Sequence, residues 1–304
     1  MTITPESTEV EPTGTPIPVE PAGSDTLALP GKSFRVPLWG YITLLPAAVL
    51  VIVGLLGPWI IPYSATEVVA KPDLSPGTDG HLFGTDSAGM DVFSRTIAAT
   101  QNNLLIGVLT TVSATAVGVL LGLAVGMNES RPGPVGWVSR GLSRALDLVQ
   151  AIPAIIIGLV MIAFFGATIP SLVLALSVIL MPNQARLVRT EVLRVRGEAY
   201  LDAARISGES ELAVVLRHVL PNSSWPALEN ASLVFGSAII LTAGLGFLGV
   251  GLNPPTPEWG SMIAAGASGA AVGRWWPALF PAIALAATVF AVTAVGQRFF
   301  GHKS

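Results

Sequence analysis

Little in this chain could carry out bond chemistry. A phosphate-cradling loop needs a glycine, four further residues and then Gly-Lys-Ser/Thr, so that successive backbone N–H groups surround the phosphates. Gly31-Lys32-Ser33 supplies the end of that pattern, but its first position is Thr26, in a Pro-rich stretch with no strand before it. A nucleotide site is therefore not expected here. The absence of cysteine excludes a thiolate nucleophile, a zinc–thiolate site, an iron–sulfur cluster and a disulfide framework. His81, His218 and His302 lie in separate segments without metal-ligand spacing, and His218 reads as a structural group in its loop. Asp147 is the one acid inside an apolar span, where a carboxylate costs roughly 2.5–3.5 kcal/mol at membrane depth. Its place at the start of that span favours structural capping of a helix N-terminus over gating. A proton relay would need further acids at depth, and none is there.

The elements that must position these residues follow from where charge is missing. Of 304 residues 51% are hydrophobic and only 12% charged, about half the charge of a soluble domain. Such a chain cannot cover itself with polar surface, so a soluble enzyme and a disordered chain are excluded. The net charge of −3 leaves no basic footprint for nucleic acid. Charge-free stretches run over 36–66, 96–128, 148–185, 230–257 and 275–297. A spanning helix needs about 20 mostly apolar residues, and the third stretch holds two, broken near Gly166 and Pro170. The expectation is an all-α integral membrane protein with six transmembrane helices near 39–61, 104–127, 146–165, 169–185, 231–251 and 277–299. Continuously apolar runs, rather than alternating ten-residue segments, argue against a barrel.

Residues 1–35 form a Pro-, Thr- and Glu-rich tail with no basic, apolar leader pattern, expected to be disordered and cytoplasmic. Its acids, Glu6, Glu9, Glu11, Glu20 and Asp25, account for the negative total. The remainder, 36–304, is read as the transmembrane domain, and the chain distributes its cations unevenly. Lys32, Arg35, Arg131, Arg140, Arg144, six arginines between 186 and 217, Arg298 and Lys303 fall on one side. Lys71, Arg95 and Arg274 fall on the other. By the positive-inside rule both termini are cytoplasmic.

Two loops are too long to be mere connections. The outer loop 62–103 is expected to fold on the outer face with Asp86 and Asp91 near Arg95. These three are candidate contacts for another protein; a structural lid is the alternative. The cytoplasmic loop 186–229 reads as a helix continuing from 185, a short helix over 198–208 ending on Gly208, and a second stretch from Glu209 that stops at Pro221. Glycine closes helices because it takes the left-handed conformation without strain.

Within that loop, Asp202-Ala203-Ala204, three residues, Gly208, nine residues and His218-Val219-Leu220-Pro221 resemble the EAA loop of ABC-importer permeases, with Asp202 replacing the usual Glu and His218 the usual Ile. Further segments are similar to the dipeptide/oligopeptide/nickel branch. They are Gly84-Thr85-Asp86 with Gly89-Met90-Asp91 and Ser94-Arg95, Asp147 to Pro153, Ala185-Arg186 with Arg189, and Gly246 to Gly260. Met90 stands where that branch usually has Arg, and the terminal acidic pair of the branch is absent from Gly296-Gln297-Arg298.

The resemblance implies a C-type permease subunit with the type I ABC importer fold in a bacterial inner membrane. It forms half of a pathway for di- or oligopeptides and catalyses no reaction itself. It implies a second homologous permease, two ATPase subunits that bind ATP and Mg²⁺, and an extracytoplasmic binding protein. Residues 198–208 become a coupling helix, with Glu198, Asp202, Ala203, Ala204, Arg205 and Gly208 meeting the ATPase. From composition alone, an amphipathic helix on lipid headgroups is the competing reading of that segment. Nickel, glutathione-like peptides and sugars remain alternative cargoes, and a stand-alone secondary transporter the alternative class. Gly118, Gly122 and Gly126 form a stripe suited to close helix packing, while Gly244, Gly246, Gly249 and Gly251 suggest close packing or flexibility. Trp259, Trp275 and Trp276 suit an interfacial aromatic belt.

Overall fold

The computed structural model describes residues 44–300, with side chains as far as Arg298. The expected tail 1–35, and the start of the first apolar stretch, lie outside the described residues. Every extended element among them is helical: α1 (Leu45–Ile60), α2 (Val92–Asn128), α3 (Pro134–Ala151), α4 (Ala154–Phe165), α5 (Ile169–Val195), α6 (Ala199–Ile206), α7 (Glu211–Glu229), α8 (Ala231–Phe247), α9 (Trp259–Ala270) and α10 (Trp276–Phe300). By length and apolarity α2, α5 and α10 can each cross a bilayer, and the bent pairs α3–α4 and α7–α8 raise the number to five.

The organising contact is α2 against α5. It exists because the glycine stripe of α2 has no side chains to hold the helices apart. A Cβ on Gly118 would stand 2.5 Å from Gln184 Cβ, one on Gly122 2.5 Å from the Ala185 carbonyl, and one on Gly126 2.7 Å from Val192. Polar groups are satisfied within this seam: Gln184 donates to Thr115 Oγ1 at 2.8 Å and to the Ala227 carbonyl at 3.0 Å, and accepts from Asn230. At one end of the pair Met127, Val188, Val192, Val195, Leu201, Val214, Val219 and Ala227 form a core. Toward the other end Ile106, Leu172, Leu176 and Leu245 form a second, and Ala99, Phe235, Ile239, Trp259 and Met262 a third.

Several expected boundaries move. The outer loop ends at Asp91, not at 103, because Asp91 caps α2 by accepting from Ser94 N–H at 2.7 Å. Charge at Arg95 hid this start, but Arg95 is buried. The span expected over 146–165 is two helices meeting at 96°. Pro153 disfavours the helical conformation in the residue before it, and Ile152 is extended, with φ −84° and ψ 132°. Asp147 therefore caps nothing: it sits inside α3 and accepts from Arg186 at 3.2 Å. The stretch from Glu209 does not stop at Pro221. A π turn at Val215–Val219 shifts the hydrogen-bond register ahead of the proline, and the helix continues to Glu229.

Helix α9 was not anticipated, since its Gly-, Ala- and Ser-rich sequence carries no strong apolar period. Glu258 caps it, accepting from Gly260 N–H at 2.6 Å and Ser261 N–H at 2.8 Å. Burial pushes this carboxyl above the usual range against those hydrogen bonds. Gly246 and Gly251 pack closely around Glu258, which settles part of that glycine cluster as packing. The aromatic belt also needs correction. Trp259 and Trp276 are buried, and their indole N–H groups donate to the carbonyls of Thr96 at 3.2 Å and Thr85 at 3.0 Å. Trp275 alone of the three is substantially exposed.

Candidate coupling site

Helix α6 begins where α5 can no longer continue. Gly197 breaks the run, Glu198 is extended with φ −80° and ψ 132°, and eight residues of helix follow. The helix ends through paired hydrogen bonds, from Gly208 N–H to the Arg205 carbonyl and from Glu209 N–H to the Ala204 carbonyl. That closure requires a left-handed residue, and Gly208 has φ +88°. Ser210 then caps the first turn of α7 by accepting from Ala213 N–H.

One residue fixes α6 to the body. Leu201 is 0% exposed and packs in the core shared with Val192, Val195, Val214 and Val219. Ala204 lies partly buried beside it. Asp202 and Ala203 face outward. Arg205 donates to Asp202 at 2.8 Å and to Glu211 at 3.0 Å, so it ties α6 to the start of α7. These two carboxylates raise its pKa, with Asp202 the larger cause, and it stays charged. Glu198 is exposed, 3.4 Å from Arg194. The six residues singled out in the sequence thus share one short surface unit, though Asp202 and Arg205 are already paired with each other. The sequence reading missed Leu201, the anchor, and Ile206, an apolar side chain 87% exposed at the tip. An apolar period of two residues in eight is too little to reveal either.

Behind α6, the ends of α2 and α5 are clamped. Arg189 makes a two-pronged pair with Glu129, at 2.6 and 2.7 Å. Its hydrogen bond holds the Glu129 carboxyl below the usual range. His218 sits 3.3 Å from Glu209 and beside the Tyr200 ring.

At the opposite end, Asp86, Asp91 and Arg95 have separate tasks. Asp91 is 0% exposed, bonded to Ser94 N–H and to His81 Nδ1 at 2.7 Å. A group so enclosed cannot touch an incoming protein, which removes it from the contact candidates. Asp86 accepts from Ala88 and Met90 N–H and stands 3.6 Å from Arg95 Nε. Asp91 is thus near α2's first turn, but the ion-pair partner of Arg95 is Asp86. Arg95 Nη1 also donates to the carbonyls of Ala65 at 3.0 Å and Pro255 at 3.3 Å, joining the loop, α2 and the segment before α9. Gly84, at φ +73°, is pressed against the Leu74 carbonyl, so this motif glycine serves the loop's own fold. A cavity of about 320 Å³ lies here, lined by Asp73, Asp86, Arg95, Ser261 and Arg274 among others. Among the described residues no cluster of three His, Asp or Glu side chains could hold a metal ion.

Residues 118–302, from the glycine stripe through α6 and α7 to the last helix, match the family described as binding-protein-dependent transport system inner membrane component. The chain belongs to that family. Relatives of the permease include the di/tripeptide transport system permease protein of Pseudomonas aeruginosa, 34% identical over 82% of each chain. The glutathione transport system permease protein of Escherichia coli is 34% identical over 82% of this chain and 80% of its own. Among solved structures, a chain of the MetNI methionine ABC transporter in an inward-facing form aligns with a TM-score of 0.56 at 20% identity. That alignment covers 69% of the permease and 96% of the other chain. The likeness is one of fold, the type I ABC importer permease fold. The permease is accordingly a multi-pass membrane protein.

Proposed function

We propose that this chain is one of two permease subunits of an ATP-driven importer of di- or oligopeptides in a bacterial inner membrane, with both termini cytoplasmic. The observation that carries the reading is α6, exposed along Asp202, Ala203 and Ile206 yet tied by Leu201 to the helices behind it. A helix held in this way can take up the motion of another protein and transmit it to α5 and α7. Two ATPase subunits would hold ATP and Mg²⁺ and grip α6. Helices α1, α2, α4, α5, α8 and α10 would supply six crossings.

A second, homologous permease would complete the pathway; the apolar groove of Leu109, Val112, Val117, Val173 and Leu174, with a Ser113–Ser177 hydrogen bond of 2.6 Å inside it, offers a face for packing. A binding protein would deliver cargo at the end that carries Asp86 and Arg95. Alternating access requires ATP and the loaded binding protein to favour different states of the pair. Peptide cargo rests on the relatives, and the glutathione relative favours a glutathione-like peptide as the second reading.

Gly208→Val is the decisive variant. Nothing lies within 4 Å of a Cβ at Gly208, so the change strains the backbone without a clash, at roughly 1–2 kcal/mol. In reconstituted complexes ATP hydrolysis should persist while peptide uptake falls at least tenfold. Normal uptake would overturn the coupling role of α6, and an active homo-oligomer purified without ATPases would overturn the importer.

A further inference from the structure

Helix α3 is amphipathic in an unusual direction. Its buried side is narrow, Gly136 and Ser139. Trp137, Val138 and Leu148 point away from the protein and are strongly exposed. At 100° per residue they form one apolar stripe with Gly141 and Ala145. Arg140 and Arg144 line one edge of it.

The attachment of α3 fixes its orientation. Arg140 donates to the Glu129 carbonyl, and Glu129 pairs with Arg189. Further along, Asp147 and Gln150 accept from Arg186. The first of these ties holds α3 to the end of α2, and the second holds it to α5. Helix α3 then turns by 96° into the wholly apolar α4. With α4 crossing the membrane, a 96° bend would set α3 along the membrane plane, beside Arg186, the first cation of α5.

Its chemistry suits that level. The Arg140 guanidinium lies 5.9 Å from the Trp137 ring centroid. Arg131 and Arg144 are exposed and have no ion-pair partner among the described residues. An anionic lipid surface supplies both an apolar phase for this face and counter-charge for the two cations beside it.

We propose that α3 is an interfacial helix, its Trp137–Leu148 face entering the acyl boundary and its Arg131 and Arg144 binding the phosphate groups of anionic phospholipids. The proposal rests on the chain being a membrane protein, not on its cargo or its ATPases. Because the chain has no cysteine, Trp137→Cys, Gly141→Cys and Leu148→Cys each give a single labelling site. The full chain would be spin-labelled in vesicles of equal parts phosphatidylglycerol and phosphatidylcholine. Equal, shallow depths at the three sites are expected. Depths that progress by about 16 Å from 137 to 148 would make α3 part of a span and overturn the proposal. In Arg131→Gln/Arg144→Gln, phosphatidylglycerol enrichment around the purified chain should fall about fivefold per arginine. Unchanged enrichment overturns headgroup binding. Labels shielded from oxygen in the assembled complex would assign the face to a protein and overturn it as well. Failure of the importer reading would register separately, as absence of co-purifying ATPases.

Discussion

At the scale of residues, three charged side chains, Asp91, Arg95 and Glu258, are enclosed in the protein. Arg95 and Asp91 look in sequence like surface groups on a loop, and both are enclosed and bonded. Sequence cannot separate the two cases, because hydrogen bonds to carbonyls 30 and 160 residues away do the enclosing. The Glu129–Arg189 pair makes a testable statement of the same kind. The depressed Glu129 pKa contributes stability above the unfolded value near 4.3, and that contribution is lost as pH falls through the lower folded value. Partial exposure limits it to about 1 kcal/mol. Melting in detergent should find Glu129→Gln less stable than the parent at pH 7, with the gap closing on acidification below about pH 4. A gap independent of pH would show that the pair's charge is not what holds α2 to α5.

At the scale of elements, the glycine stripe was legible because its physics is local: four-residue spacing puts three bare positions on one face. Its partner was not, since nothing in the stripe names Gln184, Ala185 and Val192. Gly122→Leu should force α2 from α5 and destabilise the chain by about 3 kcal/mol or more, read as lower yield in membranes and earlier melting. Gly141→Ala has open space around it and should be neutral or stabilising by roughly 0.5–1 kcal/mol through helix propensity. Equal effects of the two would deny that close packing is what the stripe provides. Pro153 and Pro221 show the limit of reading breakers. Pro153 ends a helix sharply, while a π turn carries the chain past Pro221, and only the neighbouring packing distinguishes them.

At the scale of the whole molecule, one core joins α6 to the ends of α2, α5 and α7 through Leu201. Leu201→Ala should cost roughly 2–5 kcal/mol at that junction. Membrane insertion should be retained, because the spans are untouched, while peptide uptake falls; uptake at the parental level, with equal protein in the membrane, would show that the anchor transmits nothing.

The sequence by itself determined that this is a helical membrane protein, where charge returns, and which short segment closes on Gly208. Those features are local: apolar length, cation placement and the one residue type that tolerates a left-handed turn. The tertiary structure decided that Asp91 is internal, that Trp259 and Trp276 are buried, that α9 exists and that α3 meets α4 at 96° instead of continuing straight into it. Each of these depends on which distant groups meet, and a membrane-spanning chain with few charges and many interchangeable apolar side chains carries little local record of its own pairings.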